Sequence, residues 1–141
     1  MTSIDMKTTY PARSTGVDDQ LLRTTGIALL LGVGVVHFVQ IVDTLNTAPW
    51  LGAGFAALIA ASLAAVVLLT GRHSRQGWGL AGIVAATAIL GYVFTRTVST
   101  PFDNADVGNW SENLGLAALF VETLLLLLSA HRLLTPPPTK R

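Results

Sequence analysis

Long runs of apolar residues fill the middle of the chain and are separated by short polar segments. The runs cover about residues 24–42, 50–71, 77–95 and 113–130. A hydrocarbon core about 30 Å thick needs roughly 20 mostly apolar residues in a helix, and each run meets that requirement. None of the six prolines lies inside a run, as uninterrupted helices require. The pattern therefore predicts an all-α, polytopic membrane protein built as a bundle of four transmembrane helices.

The polar ends of the chain differ in character from this transmembrane domain, which we place at residues 23–132. Residues 1–22 are rich in Ser, Thr and Asp and show no apolar periodicity, so we expect a disordered cytoplasmic arm. Residues 133–141 contain three consecutive prolines, which are typical of a short polyproline tail.

The composition agrees with a protein that faces lipid. Charged residues make up 12% of the chain and hydrophobic residues 51%, whereas soluble domains carry about 25% charged residues. The absence of cysteine excludes iron–sulfur clusters and any Cys-ligated metal. The net charge of +1 gives no indication of a nucleic-acid partner. The lipid bilayer is the expected surrounding.

The distribution of basic residues predicts the orientation. Eight of the nine lie in the two polar ends or between the second and third runs: Lys7, Arg13, Arg23, Arg72, Arg75, Arg132, Lys140 and Arg141. Only Arg96 lies on the other side. The positive-inside rule then places both termini in the cytoplasm. Trp50, Trp78 and Trp110 each lie at the start of a run, where headgroups favour an indole ring.

Two ionisable residues lie within the predicted spans. Such groups are costly in lipid unless they are paired, and they are functional candidates by default. Helix geometry puts the depths of His37 and Glu122 within about 6 Å of each other, so adjacent helices could bring them together. Gln40 extends the polar face of His37 toward the outside. The pair could bind a ligand, handle a proton, or only satisfy each other inside the bundle.

A second pair of charged residues marks the outer boundary. Arg96 ends the third run and Glu112 opens the fourth, so they should lie at similar depth and could form a charge pair with Trp110 over it. Glu112 follows Ser111 and should lie in the first turn of its helix, where the helix dipole favours an acid. Arg96 could also be a simple interfacial anchor. Both residues are candidates for ligand binding or proton handling.

The leucines of the fourth run suggest a surface for lipid or for another protein. Leu124–Leu128 form an unbroken run, which suits lipid or a partner membrane subunit better than the centre of a bundle.

The sequence contains no established catalytic motif. No Ser-His-Asp arrangement, phosphate loop or HExxH pattern is present, so no catalytic residue is predicted. His37 and His131 should lie roughly 20 Å apart along the membrane normal, which argues against a haem held by two histidines. Whether a metal or another cofactor binds stays open. An amphipathic quinone could be held by His37, Gln40, Tyr92 and Glu122.

The segment FTRTVSTPFDNADVGNWSENLGLAALFVE resembles a group of small four-helix bacterial integral membrane proteins. The group shares an Arg-Thr-Val and Pro turn, a Trp-x-Glu-x-Leu-Gly helix start and a later Glu. The matching residues here are Arg96, Thr97, Pro101, Trp110, Glu112, Gly115 and Glu122. The resemblance implies a four-helix architecture in the bacterial plasma membrane and a shared feature on the outer face, and it implies no catalytic activity.

These patterns favour a non-enzymatic membrane protein whose outward-opening polar cluster binds a ligand or partner, or an accessory subunit of a larger membrane complex. The alternative is a component of proton-coupled transport or quinone-linked redox chemistry that uses Glu122 and His37.

Overall fold

The computed structural model describes residues 15–99, 104 and 106–135, and within these residues it is all-helical. Its four helices are α1 (Thr15–Thr47), α2 (Pro49–Thr70), α3 (Ser74–Thr97) and α4 (Asn113–Leu134). Each is long and apolar enough to span a membrane. The prediction of an all-α architecture with four such helices is therefore confirmed.

Helix α1 begins at Thr15 rather than at the predicted residue 24. Asp19 lies 2.9 Å from Arg23, one helical turn further on, and it also forms an ion pair with Arg132 of α4. These contacts extend α1 into the segment that the sequence assigned to the disordered arm, because an i,i+4 pair and a tertiary partner both stabilise the helical conformation. The rest of that arm, residues 1–14, lies outside the described residues.

The four helices form a closed bundle in which each packs against its neighbour in sequence and α1 packs against α4. Apolar side chains from all four helices meet in its centre: Leu30, Val33, Ala65, Leu69, Trp78, Ala81, Val84, Ala85 and Leu125. Helices that each pack against their neighbour in sequence form the usual up-and-down arrangement, here with short α1–α2 and α2–α3 connections and a longer α3–α4 loop. We call the end with the α3–α4 loop the loop end and the end with the α2–α3 turn the turn end.

The leucine run of α4 does not form a single outer face. Leu125 lies in the core, and Leu126 and Leu128 are partly buried against it. Only Leu124 and Leu127 are exposed. A helix turns 100° per residue, so five consecutive residues necessarily cover all its sides. The surface left for lipid or a partner subunit is therefore narrower than the run suggested.

Candidate functional site: a polar cavity at the loop end

A cavity of about 300 Å³ lies between the helices at the loop end of the bundle. All five candidate residues named from the sequence line it: His37, Gln40, Arg96, Glu112 and Glu122. They come from α1, α3, α4 and the residue that precedes α4, which brings the two predicted clusters into one site.

His37 and Glu122 are two buried side chains that face each other in this cavity. Nε2 of His37 lies 3.8 Å from Oε1 of Glu122, and the two residues are only 6% and 2% exposed. The other ring nitrogen, Nδ1, lies 2.9 Å from the Val33 carbonyl oxygen. Because a carbonyl can only accept, Nδ1 carries a hydrogen and donates it. Nε2 is therefore the nitrogen that faces Glu122, beyond direct hydrogen-bond distance.

Arg96 is the centre of the second cluster. It is 5% exposed, with one terminal nitrogen 2.9 Å from Oδ2 of Asp106 and the other 2.9 Å from Oε2 of Glu112. The predicted charge pair between Arg96 and Glu112 is thus confirmed. The ring that covers the guanidinium belongs to Tyr92, 4.6 Å away, and not to Trp110 as expected. Trp110 contacts Tyr92 instead, with 6.1 Å between the ring centroids.

The α3–α4 loop folds back over the end of α3, which places Asp106 beside Arg96. The backbone N–H of Gly108 donates to the carbonyl oxygen of Arg96 at 3.0 Å, and the Tyr92 hydroxyl donates to the Trp110 carbonyl oxygen at 3.1 Å. Gly108 has φ of +81°, which is favourable for glycine alone among common residues. Sequence reasoning missed Asp106 because its place depends on this path of the loop.

Helix α4 begins with close contacts around Glu112 and Gly115. Glu112 occupies the N-cap position, just before the first turn in which we expected it, and its side chain makes no capping hydrogen bond. The side chain forms its ion pair with Arg96 instead. A Cβ on Gly115 would lie 2.6 Å from Cε2 of Tyr92 and 2.9 Å from Oε2 of Glu112. Gly115 therefore leaves the space in which both side chains sit.

The remaining walls of the cavity are amphipathic. Thr44, Thr87 and Thr95 contribute hydroxyl groups, and rings and aliphatic side chains complete the lining: Trp50, Leu51, Phe55, Leu58, Ala88 and Ala118. Phe55 stands edge-on to His37, with 4.8 Å between the ring centroids. An apolar wall with a few converging polar groups is typical of sites for small molecules.

Within the described part of the chain, no three His, Asp or Glu side chains come together as a metal site. His37, Glu112 and Glu122 line one cavity without forming such a group.

The chain matches no known family model, no curated protein and no solved structure. The resemblance carried by the segment from Arg96 to Glu122 therefore stays a prediction.

Proposed function

We propose that this chain is a non-enzymatic, multi-pass protein of the bacterial plasma membrane, with both termini cytoplasmic, that binds a small amphipathic molecule in its loop-end cavity. The observation that carries the proposal is the convergence of His37, Gln40, Arg96, Glu112 and Glu122 on one cavity of about 300 Å³. Pockets for small ligands start at about this volume.

The cost of such a cavity supports a binding role. A cavity of about 300 Å³ leaves the side chains that line it without packing partners on one side, which is unfavourable. Ionisable side chains at membrane depth add a further cost. A bundle selected only for stability would fill this space with larger apolar side chains. Water or a solute therefore occupies it, and the apolar walls favour a molecule that is partly apolar.

Two glycines of α3 provide a matched test. Gly91 lines the cavity, whereas Gly79 lies nearer the turn end, and a Cβ at either position meets nothing within 4 Å. We would purify the wild type, Gly91→Leu and Gly79→Leu from native membranes in nanodiscs and analyse each by native mass spectrometry. We expect a stoichiometric small molecule on the wild type and Gly79→Leu, and its loss from Gly91→Leu.

Two other results would contradict the proposal. A molecule retained by Gly91→Leu would lie outside the cavity. Stable co-purifying subunits without a small molecule would instead favour an accessory subunit, with the exposed Leu124 and Leu127 as its contact surface.

A second candidate function is proton handling by Glu122 and His37, in proton-coupled transport or quinone-linked redox chemistry. It is favoured by the 3.8 Å approach of two buried, titratable side chains that both line the cavity. Proton flux into proteoliposomes, followed with a pH-sensitive dye, tests it. A proton role predicts that Glu122→Gln abolishes flux at normal folded yield. A purely structural pair predicts a lower folded yield that is restored when His37 is changed as well.

A further inference from the structure

We infer that the ligand of the loop-end cavity is a small organic cation, an amine carried on a short apolar body, whose positive charge is met by Glu122. This inference rests on the proposed function and specifies its ligand class.

The arrangement around Arg96 disfavours an anion. Both terminal nitrogens of this buried guanidinium lie 2.9 Å from carboxylate oxygens, of Asp106 and of Glu112. One positive and two negative groups leave this cluster with a net charge of −1. An approaching anion would meet the two carboxylates, and like charges brought together repel. The buried Nε of Arg96 has no partner within the described residues, and it offers one hydrogen bond to a neutral oxygen.

The arrangement around Glu122 favours a cation. The titratable or charged groups that line the cavity are His37 from α1, Tyr92 and Arg96 from α3, Glu112 and Glu122 at α4, and Asp106 from the loop; α2 contributes none. Arg96 is the only permanent cation among them, and it is already held by Asp106 and Glu112. Within the residues that the structure describes, the one ion-pair partner of Glu122 is His37. The ionised form of a buried carboxyl group is strongly unfavourable unless a cation pairs with it, and a ligand amine beside Glu122 would supply that cation.

The walls fit the rest of such a molecule. Trp50 and Phe55 bring aromatic rings to the cavity, and the faces of such rings attract cations. Leu51 and Leu58 give apolar contact for a short hydrocarbon body. The volume of about 300 Å³ lies at the lower end of the range for small-molecule pockets, which suits a small amine.

Three probes of similar shape and different charge test the inference. They are 2-phenylethylamine, which is a cation at neutral pH, the neutral 2-phenylethanol, and the anion phenylacetate. Each is titrated by calorimetry into the full chain in nanodiscs of zwitterionic phosphatidylcholine, with Gly91→Leu as the blocked control and Gly79→Leu as the matched unblocked one. We expect the cation to bind the wild type and Gly79→Leu at least tenfold more tightly than the alcohol, and not to bind Gly91→Leu.

The variant Glu122→Gln assigns the charge preference to one side chain. It should weaken binding of the amine at least tenfold more than it weakens binding of the alcohol. If this variant does not fold, Glu122→Asp keeps the carboxylate and should keep the preference for the cation, while the wild-type comparison of the three probes still decides.

Other outcomes overturn the inference. It is wrong if the alcohol or the anion binds as tightly as the amine, or if the amine shows no binding that Gly91→Leu removes. The proposed function survives such a result if protein from native membranes carries a molecule that Gly91→Leu loses. If that molecule is absent too, the proposed function fails with the inference.

Discussion

Replacing Gly115 with alanine should disrupt the mouth of the cavity, whereas the same change at Gly91 should not. The new methyl group at Gly115 would lie 2.6 Å from Cε2 of Tyr92 and 2.9 Å from Oε2 of Glu112. Carbon atoms in contact prefer about 3.5–4.0 Å, so the ring must move by about 1 Å. That movement disturbs the contact of Tyr92 with Arg96 and the ion pair of Glu112 with Arg96.

The magnitude follows from comparing the two variants. Forcing an extra methyl group into a packed site costs about 1–3 kcal/mol. Alanine in place of glycine favours a helix by about 0.5–1 kcal/mol, and Gly91→Ala gains this term alone because a Cβ there meets nothing within 4 Å. Gly115→Ala should therefore be less stable than Gly91→Ala by about 1–3 kcal/mol. The helix-propensity contribution largely cancels in the comparison.

The assay is reversible unfolding in mixed micelles by increasing the fraction of denaturing detergent, followed by circular dichroism. The background Tyr92→Leu removes the ring atom that lies 2.6 Å from the new methyl group. In the Tyr92→Leu background, Gly115→Ala should lower the free energy of unfolding by less than it does in the wild type, since contacting residues are energetically coupled. Equal stability of Gly115→Ala and Gly91→Ala, or a penalty unchanged by Tyr92→Leu, would refute the reasoning.

Three further predictions address the ion cluster, the turn end and the orientation. Arg96→Gln should lower the free energy of unfolding by about 1–3 kcal/mol, because it removes the cation from the partly exposed carboxylates of Asp106 and Glu112; the same unfolding assay measures this, and an unchanged free energy of unfolding would contradict it. Gly26→Ala should destabilise the bundle by about 1–3 kcal/mol, since its Cβ would lie 2.8 Å from Cζ3 of Trp78; wild-type stability would show that the ring moves freely. In a chain that has no natural cysteine, a membrane-impermeant maleimide applied to intact cells should label Asn109→Cys and not Arg75→Cys, and the reverse pattern would invert the proposed orientation.

Much of the fold and part of the site could be predicted from the sequence, because both depend on local patterns. Hydropathy and length predicted four helices that are long and apolar enough to span a membrane, because a segment of that kind has few alternatives to a helix in lipid. The approach of His37 and Glu122 follows from their positions along straight helices, and the distance of 3.8 Å agrees with the depths estimated at 1.5 Å per residue.

The remaining features depend on tertiary contacts that no local pattern contains. Helix α1 begins at Thr15 because Asp19 forms an ion pair with Arg132 of α4. Asp106 joins Arg96 because the loop turns back at Gly108, and Tyr92 replaces Trp110 over the guanidinium because the same loop carries Trp110 beyond it. The sequence showed Gly115 only as the glycine that comes after Glu112 in the Trp-x-Glu-x-Leu-Gly motif. Its close approach to Tyr92 could not be predicted from that motif.

The pairing of the first helix with the last has a consequence for how the protein is made. Asp19 and Arg132 are 113 residues apart in the chain. Glu122, which His37 contacts, also lies on α4. At about 5–20 residues per second, a ribosome needs about 6–23 s to synthesise that interval. Throughout this time, His37 and Asp19 of α1 lack the side chains that they contact in the finished bundle. The bundle therefore cannot close around these side chains until α4 has been synthesised.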